Sequence, residues 1–109
     1  MAHVRIVLTT VGVQEKAEWL ARTLVERRLA ACVNIVGPIR SIYRWKGEVE
    51  NEQEYLLLIK TAAERSAEVA AAFAELHPYE LPERIELDPE GGSAEYLSWV
   101  VGEVGREGQ

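Results

Sequence analysis

The sequence predicts an α+β fold of the ferredoxin-like, split βαβ class, with the element order βαββαβ and one additional C-terminal helix. Three observations carry this prediction. Period-two alternation marks several strands, apolar residues at helical spacing mark three amphipathic helices, and the two patterns follow one another in this order. A chain of 109 residues has the size of one domain. We therefore expect a single domain over residues 1–109.

The chain begins with a strand and a helix. Alternating apolar residues predict a strand over residues 3–10, and Gly12 ends it. Apolar residues then recur at helical spacing on one face, which predicts an amphipathic helix over residues 13–29. The residues that form this face are Ala17, Leu20, Ala21, Leu24 and Val25.

A long β-hairpin is predicted next. A β-rich run over residues 32–36 ends at Gly37-Pro38, and alternation resumes over residues 39–46. The polar stretch over residues 47–53 is predicted to be a turn. A dense apolar run predicts the second arm over residues 54–61, and its composition is typical of a strand covered on both faces. With eight residues in each arm, the hairpin would be about 26 Å long.

The second half of the chain repeats the pattern of helix and strand. Helical spacing predicts a helix over residues 63–76, and a proline-rich corner ends it. A short strand is predicted over residues 84–88, with Ile85 and Leu87 facing inward. The last helix is predicted over residues 94–104, where apolar residues again share one face.

Composition and charge exclude several classes of protein. A net charge of −6 disfavours nucleic-acid binding, which needs a positive patch. The single cysteine, Cys32, cannot form an intrachain disulfide and fits a reducing cytoplasm. The N-terminus shows no signal pattern, and the apolar run over residues 55–59 is far shorter than the ~20 residues of a membrane span. We expect a cytoplasmic protein without nucleic-acid or membrane partners.

The corner His77-Pro78-Tyr79-Glu80-Leu81-Pro82-Glu83 is where chemistry would be found first. Each proline fixes its own φ and pushes the preceding residue toward extended geometry, so the segment is rigid. The neutral imidazole of His77 could bind a metal, with Glu83 or another subunit completing the site. The alternative is a half-buried histidine that bonds a backbone carbonyl. Nothing nearby supplies a nucleophile or a substrate cradle, so we predict that the protein is not an enzyme.

Aromatic residues point to an interface between copies of the chain. Tyr43, Trp45 and Tyr55 lie on the predicted hairpin. Tyrosine and tryptophan are enriched in interfaces, and an unpaired apolar arm would invite aggregation. We predict that the hairpin pairs with a neighbouring subunit; the alternative is that these rings cover the chain's own sheet. Tyr79 is expected to pack against the neighbouring sheet with its hydroxyl bonded.

Several stretches, taken together and in this order, resemble the CutA family, whose small proteins are named for divalent-cation tolerance. They are Ala30-Ala31-Cys32-Val33-Asn34-Ile35, Ser41-Ile42-Tyr43, Trp45-Lys46-Gly47, Leu58-Ile59-Lys60-Thr61, the proline corner, and Tyr96-Leu97-Ser98-Trp99. The resemblance implies a ferredoxin-like subunit in a tight homotrimer whose sheets meet edge to edge, similar to the PII signalling proteins. It also implies a link to copper and other divalent metals.

The metal ligands of the family are only partly present. Some bacterial members hold copper with a cysteine at the end of the first strand and two successive histidines before the proline corner. This chain has Thr9 at the first of these positions and Leu76-His77 at the other two. A threonine hydroxyl and a leucine side chain are not copper ligands of this kind. Cys32 is either a small core residue or a further soft ligand.

The sequence thus leaves three functions open. The first is a non-enzymatic homotrimer that binds copper or another divalent metal through His77, Glu83 and Cys32 and is linked to metal tolerance. The second is a PII-like signalling or scaffold trimer, whose clefts between subunits bind a small effector or a protein partner. The third is a very stable assembly that has kept no ligand.

Overall fold

The structure is a computed structural model that describes residues 3–105. Residues 1–2 and 106–109 lie outside the described part, so the single domain over residues 1–109 stays a prediction. The elements are β1 (Val4–Val11), α1 (Gln14–Glu26), β2 (Cys32–Trp45), β3 (Glu48–Ala62), a short 3-10 turn (Ala63–Arg65), α2 (Ser66–Leu76), β4 (Ile85–Leu87) and α3 (Ala94–Val104).

The four strands form one antiparallel sheet in the order β2-β3-β1-β4. This order is the ferredoxin-like one, so the predicted fold class and element order are confirmed. The predicted bounds of the last helix, α3, are confirmed. Those of β1, α1, α2 and β4 differ from the observed ones by one to three residues at one end or both. Along the chain, α1 connects β1 to β2 and α2 connects β3 to β4, as the split βαβ pattern requires.

The hairpin is longer than the sequence predicted. β2 is one strand of 14 residues, with a register shift between Val36 and Ile39, rather than two separate runs. A Cβ atom on Gly37 would lie 2.6 Å from Cδ2 of Tyr55, so this strand can pass the ring only with a glycine there. The peptide bond between Gly37 and Pro38 is cis.

The second arm, β3, already begins at Glu48. The turn is Lys46-Gly47, whose φ angles of 50° and 85° match the left-handed geometry of a tight hairpin. We predicted a polar turn over residues 47–53, and this was wrong. These polar residues pair across the hairpin as a regular ladder, which their strand propensity alone does not reveal.

One face of the sheet carries the hydrophobic core under α1 and α2. Its members are Val7, Val11, Ala17, Leu20, Ala21, Leu24, Leu29, Ala30, Leu57, Ile59, Val69, Ala72 and Phe73. In β3 the fully buried Leu57 and Ile59 alternate with the half-buried Leu56 and Leu58. The protomer therefore covers β3 fully on one face only, and the expectation of two covered faces was wrong.

Strand β4 also differs from its prediction. Ile85 and Leu87 are 50% and 46% exposed, whereas the sequence predicted that they face inward. The residue between them, Glu86, turns toward the protein and accepts hydrogen bonds from Arg5 at 3.1 Å and from Ser66 at 2.7 Å. Polar contacts, rather than apolar burial, therefore fix this edge strand.

The far end of the hairpin projects from the body of the protomer, whose longest dimension is 45 Å. Ile42 and Val49 are 70% and 64% exposed there, and Tyr43 and Trp45 are also exposed. Tyr55 behaves differently, because it is partly buried against the chain's own core. Part of the Tyr55 side chain thus packs against its own sheet, and a role at an interface stays a prediction for Tyr43, Trp45, Tyr55 and Tyr79.

Two arginines hold the C-terminal end of α3. The buried Arg65 donates from Nε to the carbonyl oxygen of Val104 at 2.7 Å, and Arg28 donates to that of Glu103 at 2.9 Å. Cations at a helix C-terminus satisfy its free carbonyl groups and its dipole. Within residues 3–105, no helix has the length and apolar character that crossing a membrane would need.

Candidate functional site

The proline corner begins where α2 ends. His77 is the C-cap residue of α2 and has extended backbone angles (φ −73°, ψ 135°), as the following proline requires. Its N–H still bonds the carbonyl oxygen of Phe73 at 3.0 Å, so the helix leads directly into the corner. The corner then continues toward β4, which pairs with β1.

The His77 side chain is buried and uses both ring nitrogens. Nε2 lies 2.9 Å from Oγ1 of Thr9, and Nδ1 accepts the backbone N–H of Tyr79 at 3.1 Å. Since Nδ1 accepts, the proton of the neutral ring sits on Nε2 and is donated to Thr9. Burial lowers the pKa of His77, although the Thr10 backbone and the charge of Glu54 act in the opposite direction. His77 is therefore a neutral residue that ties the corner to β1.

These contacts bear directly on the implied copper site. Thr9 does lie beside His77, but its hydroxyl stands where the family's ligand would be a thiolate. Leu76 packs against the hydrophobic core. Among residues 3–105, no group of three or more His, Cys, Asp or Glu side chains could hold a metal ion. Within one protomer, the described donor set therefore does not fit a copper centre of that kind.

The three predicted metal ligands are not neighbours in one cluster. Cys32 pairs with Lys60 on β3, and its half-exposed thiol lies 3.8 Å from Oδ1 of Asn34. His77 contacts Thr9 of β1, whose register partner on β3 is Leu57. The register therefore puts Cys32 and the His77 contact on opposite faces of the sheet. His77, Glu83 and Cys32 as ligands stay predictions.

Tyr79 and Glu54 form the second polar contact of the corner. The Tyr79 hydroxyl donates to Oε2 of Glu54 at 2.6 Å, and Glu54 is only 6% exposed. Burial and this carboxylate together raise the pKa of Tyr79 far above its usual value. A Cβ atom on Gly12 would lie 3.0 Å from the same hydroxyl, so the chain just after β1 approaches the ring closely. The bonded hydroxyl agrees with expectation, although its partner here belongs to the same chain.

A groove of about 950 Å³ lies between the proline corner and the projecting hairpin. We call it the acidic groove. Its walls include Tyr43, Trp45, Glu54, Tyr79, Glu80 and Glu83. Burial raises the pKa of Glu83, and the charge of Glu54 raises it further. The groove thus combines aromatic rings with three carboxyl groups.

Sequence reasoning missed Glu54 and the role of Thr9. Glu54 is a charged residue directly before the apolar run of β3, and that position could have marked it as special. Its contact with Tyr79 spans 25 positions, and the contact between Thr9 and His77 spans 68. These contacts depend on strand pairing: Thr9 on β1 pairs with Leu57 on β3, and Glu54 lies on β3 opposite Ile39 of β2.

A family model and several known proteins match most of the described chain in sequence. Residues 5–103 match the family described as CutA1 divalent ion tolerance protein. The chain is 48% identical over 95 residues to the divalent-cation tolerance protein CutA of Thermus thermophilus, which covers 87% of this chain and 92% of that protein. It is also 48% identical over 84 residues to the CutA homolog of Xenopus laevis, covering 77% of this chain and 56% of that protein. The chain thus spans little more than half of the length of the Xenopus relative.

Solved structures agree with the sequence relatives. The Cut A1 structure from Thermus thermophilus superimposes with a TM-score of 0.90 at 46% identity, covering 94% of this chain and 99% of that one. The structure named PII-like protein CutA from Nostoc gives a TM-score of 0.87 at 40% identity, covering 93% of this chain and 97% of that one.

Proposed function

The chain belongs to the CutA1 family of divalent ion tolerance proteins, and on that premise we propose that it acts in metal tolerance as a non-enzymatic assembly of three copies. The family relationship supports a part in tolerance to divalent metals in general. Beyond this general role, we propose three specific properties: assembly into three copies, binding of copper or another divalent metal, and the absence of catalysis. A cytoplasmic location belongs to it too, supported by the lone cysteine.

The projecting hairpin is the observation that carries the assembly. β2 is an outer strand of the sheet and is 14 residues long, so it offers a long free edge. Natural proteins protect such edges, and exposed apolar patches mark interaction sites. Ile42, Tyr43, Trp45 and Val49 stand exposed near the tip of the hairpin. Pairing with another copy would cover both the edge and these side chains.

The metal part of the proposal centres on His77. A single imidazole with a carboxylate, such as Glu83, binds a divalent metal like copper only weakly. Either nitrogen of His77 must first give up its present hydrogen bond. Cys32, on the other face of the sheet, would be a separate soft ligand. We therefore propose weak binding that needs donors from another copy or a rearranged corner.

The mass of the native particle tests the assembly. We expect three copies at low micromolar concentration in light scattering. Ile42→Lys at the hairpin tip should shift the mass toward one copy, whereas the control Val13→Lys, an exposed apolar position preceding α1, should not. A folded wild-type protomer that stays single at this concentration contradicts the proposal.

Copper titration of the same particle tests the metal site. We expect weak binding by calorimetry that is lost in His77→Ala and kept in His3→Ala, the matched control at the exposed second histidine. Unchanged affinity and stoichiometry in His77→Ala would exclude His77 as a ligand.

Effector binding is the second candidate function, and one observation favours it. The acidic groove holds Glu54 almost fully buried, and no ion pair to it occurs among residues 3–105. A small ligand that brings positive charge would satisfy this carboxyl group. In this function the assembly would work as a PII-like binder of an effector.

A further inference from the structure

We propose that the projecting hairpin binds a second copy of the chain face to face, so that glutamates on one face of a hairpin meet Arg40 and Arg44 on the opposite face of the next. This inference deepens the assembly part of the proposed function and rests on it. It assigns contact residues to the interface, and it requires a head-to-tail ring rather than a two-fold pair.

The first step of the argument is that the protomer leaves the outer part of the hairpin uncovered. β1 pairs with β3 only from Tyr55 onward, so residues 48–54 of β3 pair with β2 alone. Residues 40–53 are all exposed except Ser41 and Glu50, which are half-buried. A two-stranded hairpin by itself is only marginally stable in water. This part of the hairpin therefore needs cover from outside the protomer.

The second step is that the strand register sorts the charges onto two faces. Directly opposed residues of an antiparallel pair share a face, and successive residues of a strand alternate between faces. One face, which we call the acidic face, carries Ser41, Tyr43, Trp45, Glu48, Glu50 and Glu52. The other, which we call the basic face, carries Arg40, Ile42, Arg44, Val49, Asn51 and Gln53. Partial desolvation raises the pKa of Tyr43, and nearby carboxylates, Glu52 first among them, raise it further, as a shared face predicts.

The third step is that these charges have no ionic partner within the protomer. Other arginines, such as Arg5 and Arg27, form ion pairs in their own chain. Among residues 3–105, no ion pair involves Arg40, Arg44 or the three glutamates of the acidic face. The hairpin thus carries opposite charges on its two faces and pairs neither of them internally.

The fourth step is that another copy of the chain complements both faces at once. A guanidinium group pairs with carboxylates and also stacks on aromatic rings, so Arg40 and Arg44 fit the glutamates and the rings of the acidic face. Ile42 and Val49 of the basic face are 70% and 64% exposed and would pack against the same rings. The acidic face forms one wall of the acidic groove, so in the assembly the next copy, rather than a free effector, covers that wall.

The fifth step concerns symmetry. A two-fold pair sets the same surface of each copy against itself, and here that would bring like charges together. A head-to-tail contact instead joins an acidic face to a basic face, and the same contact repeats around a closed ring. The distribution of charge on the hairpin therefore favours the cyclic arrangement that an assembly of three copies needs.

Charge reversal tests this contact. Glu50→Arg with Glu52→Arg gives the acidic face a surplus of positive charge, so that both faces repel one another between copies. Arg40→Glu with Arg44→Glu makes both faces acidic. The quadruple variant, which combines the four changes, exchanges the charges of the faces and keeps the net charge of −6.

The measurement is the rate at which copies exchange between particles, because a tight assembly can hide a weakened contact. Isotope-labelled and unlabelled samples are mixed, and native mass spectrometry follows the appearance of mixed particles. Each reversed pair should exchange at least about a hundredfold faster than the wild type, or fall apart into single copies. The quadruple variant should return to within about tenfold of the wild-type rate.

A matched control makes the same change of net charge elsewhere. Glu18→Arg with Glu26→Arg, at exposed positions of α1, should alter the exchange rate by less than about threefold. Reversed pairs that exchange no faster than this control overturn the inference. A folded quadruple variant that exchanges as fast as either reversed pair overturns it too.

Neutral variants decide if the quadruple variant does not fold by circular dichroism. Glu50→Gln with Glu52→Gln removes the charges of one side, and Arg40→Gln with Arg44→Gln removes those of the other. If the two sides meet, combining all four changes should accelerate exchange by less than the product of the two separate effects. An acceleration equal to that product contradicts the contact.

The native mass of the wild type separates this inference from the proposed function. A particle of three copies whose exchange ignores the charge reversals overturns the face-to-face contact and leaves the assembly intact. A particle of two copies contradicts the head-to-tail ring. A wild-type protein that stays single at low micromolar concentration contradicts the assembly itself, and the inference falls with it.

Discussion

Replacing His77 by alanine should cost the protein about 3 kcal/mol of unfolding free energy. The substitution leaves the Thr9 hydroxyl, which is 0% exposed, and the backbone N–H of Tyr79 without their partners. Each unpaired buried group costs about 1–3 kcal/mol. The ring also packs against Phe73 and Tyr79, with centroids 5.4 and 5.1 Å apart, and such contacts add about 0.5–1.5 kcal/mol.

Two conservative variants divide this loss between the two hydrogen bonds. His77→Gln can still donate toward Thr9, and His77→Asn can still accept from the N–H of Tyr79. Each should therefore lose about half as much as His77→Ala. Urea unfolding followed by circular dichroism measures all three, at one fixed protein concentration because assembly would shift the transition. A loss below about 0.5 kcal/mol in His77→Ala would refute the structural role of the imidazole.

Three further predictions concern buried polar groups. Burial lowers the pKa of His77 in the folded protein, so as the pH falls this histidine is protonated in the unfolded chain before it is protonated in the folded one. The contribution of His77 to the free energy of unfolding is therefore complete above pH ~6.5 and declines as the pH falls below that value. In a series of unfolding curves at different pH, His77→Gln should lack this decline. The Thr61 hydroxyl is buried with no hydrogen-bond partner among the described residues, so Thr61→Val should stabilise the protein by about 1 kcal/mol in thermal unfolding, whereas an unchanged or lower stability would show that the hydroxyl is satisfied. Arg65→Met should cost about 2 kcal/mol and raise hydrogen exchange in α3 above that in α1, since the carbonyl of Val104 loses its donor; equal exchange in both helices would contradict this.

The fold was predictable because each element carries its own signal. The apolar faces of α1 and β1 depend on nearby residues alone, so periodicity identified them. The extension of β3 from Glu48 depends instead on pairing with β2, and its polar residues resemble a turn when read alone. β4 was placed correctly, but its orientation depends on how Glu86 is held by other elements, which no local pattern shows.

The candidate site was predictable only where it is local. The corner from His77 to Glu83 is one continuous segment whose prolines mark it as rigid. The partners that give it chemical character, Thr9 and Glu54, come from β1 and β3. The register between the strands brings these partners to the corner, and the pattern of residues within one strand does not predict that register.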